Sequence, residues 1–346
     1  MTSNLQQTML EAIETELKRQ VARLDQPHTQ LFHEMLTYHM GWSGDGAGSQ
    51  AAGKRIRPLV TLLSVASILN DENGNNNSRN IWLHAISLAA AIELVHNFSL
   101  VHDDIQDNSP LRRGRKTAWV KWGAPMAINV GDALFVIANQ SALDLHKHYP
   151  AEMVVRAASL LNDCCLQLTQ GQFLDMSYEE RTDLSLEDYW PMIGGKTSAL
   201  LSSCTQIGAL LGYAQEDKIE LYRQFGYHLG LAFQVQDDIL GIWGDEALTG
   251  KSAASDLVEG KNSLPVLYAL EKNGEFAKRW HQGPITPEEV GRVANLLEQE
   301  GGKTYAEKMS GELTQKALEY LQQADPQGEA GEAILELANM LLKRNQ

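Results

Sequence analysis

Residues 93–116 read ELVHNFSLVHDDIQDNSPLRRGRK. The first part is an apolar run without a helix breaker, so the aspartates belong to a helix. Residues four apart on a helix share a face, which stacks Asp103 over Asp107. Like charges at that spacing repel, so the pair calls for cations. A few oxygen ligands suit Mg²⁺, which keeps waters and shares its shell with substrate phosphates. Pro110 stops the helix soon after Asp107. Arg112, Arg113, Arg115 and Lys116 then follow on a loop. Guanidinium forks match phosphate oxygens bidentately, so an acidic helix face with a basic loop beside it can hold Mg²⁺ and diphosphate together. The plainer alternative is a solvated acidic turn bonded to its own arginines.

A second cluster stands at 233–245, FQVQDDILGIWGD. Its apolar flank (Phe233, Val235, Ile239, Leu240) turns Asp237 and Asp238 inward, where carboxylates without partners are costly. Gly241 occupies the place of a third carboxylate. Asp245 lies four residues further on, past Gly244 and off the helix. Taken together, the two clusters suggest a site that grips a diphosphate through several Mg²⁺ ions.

Isolated cations lie elsewhere. GKRIRP at 53–58 puts Lys54 and Arg57 three apart before a helix. Cations there oppose the helix dipole unless an anion binds between them. Lys196 and Thr197 sit in GGKTSAL, and Lys261 in SDLVEGKNSLP. GGKT is no phosphate-binding P-loop, because the GxxxxGK[ST] spacing is missing. His96 and His102 share the helix of the first cluster without the HExxH context of a zinc site.

With 346 residues, 43% hydrophobic and 21% charged, the chain has ample material for a large core. No Pro- or Ser-rich linker divides it, which favours one domain over 1–346. The net charge of −15 argues against nucleic acid as a partner. Three cysteines without CxxC spacing (Cys164, Cys165, Cys204) read as reduced thiols of a cytoplasmic protein. The N-terminus carries acidic residues where a signal peptide needs an apolar core. No apolar stretch reaches the roughly 18 uncharged residues of a membrane span.

Helical periodicity dominates, and no strand pattern stands out, so the fold class is all-α. Leu5, Met9, Ile13 and Leu17 form an apolar stripe on a first helix, and a second is expected from near Gln30 to Met40. GWSGDGAGSQAAG reads as a mobile loop and DENGNNNSRN, at 71–80, as another. Ser185 with Asp188 forms a near capping box; Thr286, with Pro287 at the first helical position, predicts another helix start. The C-terminal part, from about 285 to 346, reads as peripheral helices without a chemical motif.

In this order, GKRIRP, ELVHNFSLVHDDIQDNSPLRRGR, GQFLD, GGKTSAL, FQVQDDILGIWGD and SDLVEGKNSLP resemble the all-trans polyprenyl diphosphate synthases, short-chain prenyltransferases of the isoprenoid synthase superfamily. The match covers about 53–270. The resemblance implies a bundle of antiparallel helices around a central active-site cavity, usually as a homodimer. It also implies isoprenoid biosynthesis by head-to-tail condensation of isopentenyl diphosphate with an allylic diphosphate. Carried over by motif, Asp103, Asp107 and Asp237 bind three Mg²⁺ ions. Arg112, Lys196, Thr197, Gln234 and Lys261 contact the allylic substrate. Lys54, Arg57, His96 and Arg113 bind isopentenyl diphosphate.

In such enzymes the side chains just upstream of the first motif form the floor of the cavity. Here these are Phe98 and Ser99, and no residue is inserted within the motif. A Phe a turn and a half below the metals predicts a C20 product, geranylgeranyl diphosphate, with farnesyl diphosphate (C15) as runner-up. Gly241 departs from the family's second DDxxD motif. It keeps one alternative open, a terpene cyclase on the same scaffold, although Lys54, Arg57, His96 and Arg113 would be superfluous there. A non-catalytic subunit of a heteromeric synthase is a third reading, against which the intact first motif speaks.

Overall fold

The computed structural model describes residues 3–68, 76–179, 181–244 and 254–342. Asp245 and residues 71–75 of the expected second loop lie outside this set. The chain groups into two compact units, described separately here. Unit 1 comprises Met1–Asp163, Ser203–Ile219 and Pro326–Ile334; unit 2 comprises Cys164–Ser202, Glu220–Asp325 and Leu335–Gln346. Both are helical, as the periodicity predicts. Among the described residues the only strands are β1 (Leu111–Arg112) and β2 (Arg115–Lys116).

Unit 1 begins with α1 (Asn4–Val21), started by a capping box between Ser3 and Gln6. The stripe Met9, Ile13 and Leu17 is fully buried. Helix α2 (Gln30–His39) ends one residue short of the expected Met40, which caps it. The Gly-rich stretch that follows is held rather than loose. Arg115 donates to the carbonyls of Tyr38, Ser43 and Asp45, and the stretch ends in the short α3 (Ser49–Ala52). Helix α4 (Ile56–Ile68) leads to a 3₁₀ segment, Asn76–Ala85, and then to α5 (Ile86–Gln106), which carries the first acidic cluster. The hairpin β1–β2 and α6 (Ala118–Trp122) connect α5 to α7 (Ala124–Leu143).

Helices α5 and α7 form the most extensive packing pair of the unit. Close approach depends on Gly131: a Cβ there would stand 2.2 Å from the His102 ring. By length and hydropathy alone, the helices spanning 80–106 and 124–147 could cross a membrane. The first has 67% of its most apolar window buried, the position of a core helix.

Unit 2 contains the C-terminal part of α8 (Ala151–Tyr178), α9 (Leu186–Ile193), a π-helical turn (Gly194–Ser198), the first turn of α10 (Ala199–Leu211) and most of α11 (Glu216–Trp243). Ser185 and Asp188 do form the capping box of α9. The start expected at Thr286 and Pro287 comes later, at Val290. Glu289 accepts from the Thr286 amide and pairs with Arg279 and Arg292, so residues 287–289 close as a turn instead. Residues from 285 on join the same apolar cluster as the end of α11: Ile242, Leu257, Val266 and Phe276 pack with Ile285, Val293 and Leu297. Gln236 of α11 also donates to the carbonyl of Leu342.

Candidate diphosphate and metal sites

In unit 1, α5 ends at Gln106 with Asp107 as its cap, and the Asp107 amide donates to the Asp103 carbonyl at 2.8 Å. The two side chains therefore stack on one face at a helix C-terminus, where the backbone adds partial negative charge. Asp107 is exposed and Asp103 partly so. Asp104 differs: it is 3% exposed, and the Nε of Arg112 donates to it at 2.8 Å. Burial raises its pKa, and the Arg112 hydrogen bond opposes that rise. Asp104 thus ties the hairpin to the helix. Asn108 takes a left-handed φ of 50°, so the helix has already stopped before Pro110.

The arginine stretch, expected as a loop, is a tight hairpin. Arg112 pairs with Arg115, and Arg113 and Gly114 both have positive φ, as a type I′ turn requires. This aims Arg113 back at the GKRIRP segment. Its guanidinium lies on Gly53, where a Cβ would stand 2.6 Å away, and it donates to the Ala51 carbonyl at 2.8 Å. Lys54 is exposed just ahead of α4. Arg57 lies in the first turn of α4, its Nη1 3.2 Å from His96 Nε2, while its buried Nε has no hydrogen-bond partner.

Burial, and then the charges of Arg57, Arg113, Arg112 and Arg55, hold His96 well below its ordinary pKa, so it is neutral. Burial and the charges of Arg55, Arg112 and Arg57 likewise lower Arg113, against the pull of Glu93. The charges of four arginines thus act on one neutral imidazole, with Arg57 in direct contact, a field that favours an anion. Arg55 has a structural part in it: it is buried, ion-paired to Glu14 at 3.1 Å and Glu93 at 2.9 Å.

Phe98 is half-buried on α5, its ring 5.1 Å from Phe135 of α7 and 5.6 Å from His102. The Ser99 hydroxyl donates to the His96 carbonyl.

In unit 2 the π-helical turn explains GGKT. A Cβ on Gly171 would stand 2.0 Å from the Lys196 amide nitrogen, and one on Gly195 2.7 Å from the Gln167 carbonyl oxygen. The glycines let the turn lie directly on α8, and its extra residue per turn swings Lys196 and Thr197 to one side. Lys196 pairs with Asp175 of GQFLD. Thr197 bonds to Gln234 at 2.8 Å, and Gln234 donates to Asp238 at 3.0 Å. Asp238 also accepts from Tyr189 Oη at 2.7 Å and the Leu264 amide at 2.9 Å. Burial pushes it up to about 6, against those hydrogen bonds. Like Asp104, Asp238 is a buried anchor, whereas Asp237 is partly exposed. Lys261 pairs with Asp256 at 3.3 Å and Glu259 at 2.7 Å.

The donor set fits a hard divalent cation. Among the described residues no three His, Cys, Asp or Glu side chains converge as a cage. Paired carboxylates that leave the rest of the shell to phosphate and water are the Mg²⁺ arrangement. Sequence reasoning passed over Asp175, Tyr189 and Asp256. It also passed over His39, a partly buried histidine whose pKa burial and the charges of Arg112, Arg113 and Arg55 lower to about 3, so that it is neutral. For Asp175 and Asp256 the quoted GQFLD and SDLVEGKNSLP motifs were usable signals; Tyr189 and His39 become visible only through tertiary contacts.

The polyprenyl synthetase family model matches residues 47–299. The chain is 37% identical over 297 residues to the geranylgeranyl diphosphate synthase of Mycobacterium tuberculosis, covering 84% of this chain and 81% of that one. It is 36% identical over 306 residues to the (2E,6E)-farnesyl diphosphate synthase of Mycobacterium bovis, covering 86% and 80%. The solved structure of a polyprenyl synthetase from Streptomyces coelicolor aligns with a TM-score of 0.83 at 35% identity, over 97% of this chain and 98% of that one. The all-α isoprenoid synthase class expected from the sequence is thus the observed one. The chain belongs to the polyprenyl synthetase family and is a short-chain prenyl diphosphate synthase, a prenyltransferase.

Proposed function

We propose that this synthase condenses isopentenyl diphosphate with an allylic diphosphate, head to tail, and stops at C20 geranylgeranyl diphosphate. The family uses divalent metal ions. In this reading Asp103, Asp107 and Asp237 hold three Mg²⁺ ions. When bound, the metal neutralises the charge that gathers on the departing diphosphate. Arg112, Lys196 and Lys261 add charge to the same leaving group, and Thr197 with Gln234 orients it. The allylic C–O bond breaks, and its electron pair leaves with the diphosphate. The isopentenyl double bond forms the new C–C bond, and a proton passes to the released diphosphate. The cation has to be kept from water, which calls for an apolar cavity wall. Lys54, Arg57, His96 and Arg113 hold the isopentenyl diphosphate.

One observation carries the reading: the Nη1 of Arg57 lies 3.2 Å from neutral His96, the charges of Arg113, Arg112 and Arg55 act on the same imidazole, and the buried Nε of Arg57 lacks a partner. An enzyme that only cyclises one allylic diphosphate has no need of a second anion receptor. Support for C20 comes from Phe98, braced by Phe135 and facing one side of α5 below Asp103. A homodimer in the cytoplasm completes the proposal. The α7 face with Ile128, Val136 and Leu143 exposed is apolar enough for the dimer contact.

The test incubates the protein with Mg²⁺, labelled isopentenyl diphosphate and C5, C10 and C15 allylic primers. Label in a C20 diphosphate supports the reading. Label that stops at C15 corrects the length. Unlabelled hydrocarbon favours the cyclase, and no turnover with any primer favours the subunit.

A further inference from the structure

Gly241 lies one helical turn beyond Asp237 on α11, the position from which a third carboxylate would share its face. That space is filled. A Cβ built on Gly241 would stand 2.0 Å from Asp256 Oδ2 and 2.5 Å from its Cγ. Asp256 comes from a separate short turn, Ser255–Val258, set up by Ala254 in a left-handed conformation with φ 53°. The Asp256 carbonyl accepts the Lys261 amide at 2.9 Å, and its carboxylate meets Lys261 Nζ at 3.3 Å. It is 6% exposed, so its direction is fixed by packing and by that pair. A carboxylate is therefore present where α11 lacks one, and glycine is the residue that leaves room for it.

We propose that Asp256 supplies the third carboxylate of the second acidic face, a ligand for the divalent cation held there with diphosphate. This rests on the metal reading given under Proposed function. Two consequences separate it from a plain salt bridge to Lys261. Restoring the family pattern with Gly241→Asp places a side chain in occupied space and two carboxylates against each other, so it weakens the site. Moving the carboxylate from 256 to 241 repairs it.

The experiment measures Mn²⁺ binding to the full chain with inorganic diphosphate, by loss of the free Mn²⁺ electron paramagnetic resonance signal. Thermal unfolding of each protein serves as the folding control. Asp256→Asn, nearly isosteric, loses about tenfold or more in the affinity of one site, in the range for disturbed metal shells. Gly241→Asp loses affinity too. Gly241→Asp with Asp256→Ala recovers most of the affinity that Asp256→Asn loses. Wild-type affinity in Asp256→Asn overturns the proposal. So does a double variant no better than Asp256→Asn, because then Asp256 acts only by holding Lys261. If the unaltered chain binds no Mn²⁺ with diphosphate, the metal reading itself fails.

Discussion

Within each acidic pair the second aspartate is buried and hydrogen-bonded while the first is partly exposed, and the first pair gives the proposed division of roles a measurable form. Asp104→Asn keeps the shape but removes the charge that Arg112 meets from two nitrogens at 2.8 Å. A hydrogen bond to a charged group contributes about 1.5–3 kcal/mol. Breaking a fully buried pair costs more, about 3–5 kcal/mol. Arg112 is 32% exposed and can turn to water, so the lower range applies. For a chain of this size about 2 °C of melting temperature corresponds to 1 kcal/mol, which gives a fall of about 3–6 °C. Asp103→Asn, at a partly exposed position, lowers the melting temperature less and lowers kcat by about 10² or more. Scanning calorimetry and steady-state turnover on both variants decide the matter. A stable Asp104→Asn without Mg²⁺-dependent activity, beside an unstable Asp103→Asn, would refute the division of roles.

Further outcomes follow from the same geometry. Phe98→Ala opens the floor braced by Phe135 and shifts product from C20 to longer chains, read by chromatography of dephosphorylated products; an unchanged distribution removes Phe98 from that role. Arg113→Lys keeps the charge but loses the fork lying on Gly53, so kcat/KM for isopentenyl diphosphate falls by about 10–100-fold, with a smaller change for the allylic primer. Burial pushes Asp144 up, but hydrogen bonds from Gln20, Lys147 and Arg19 and the charge of Arg23 hold it below the usual carboxylate range. Its contribution, on the order of 1–2 kcal/mol, is present above about pH 4 and lost as pH falls further. Urea titrations at pH 7 and pH 3 should show that loss, and Asp144→Asn should abolish it.

The helical class, the stacking of Asp103 on Asp107 and the inward face of Asp238 were legible because each depends on local periodicity. The same holds for the capping box at Ser185. The hairpin at 111–116 was not legible, because a two-residue strand leaves no alternation to read. The pairing of Arg112 with Arg115 and the positive φ values of Arg113 and Gly114 reveal it. The π-helical turn was hidden for a different reason: GGKT needs two close approaches to α8 that no local pattern encodes. Gly241 read as a loss when viewed along α11 alone. Its partner, Asp256, is fifteen positions away in sequence and becomes a neighbour only through the fold. The Gly-rich stretch after α2 read as mobile because its composition carries no trace of Arg115, some seventy residues on, which ties it down.

The most direct measurement is a crystal structure with Mn²⁺ and a non-ionisable allylic diphosphate analogue, using the anomalous signal to place the metal. The account predicts manganese against Asp103, Asp107 and Asp237, with Asp104 still on Arg112 and Asp238 still on Tyr189. Manganese on Asp104 or Asp238, or no metal at Asp103 and Asp107 with the analogue bound, would contradict it.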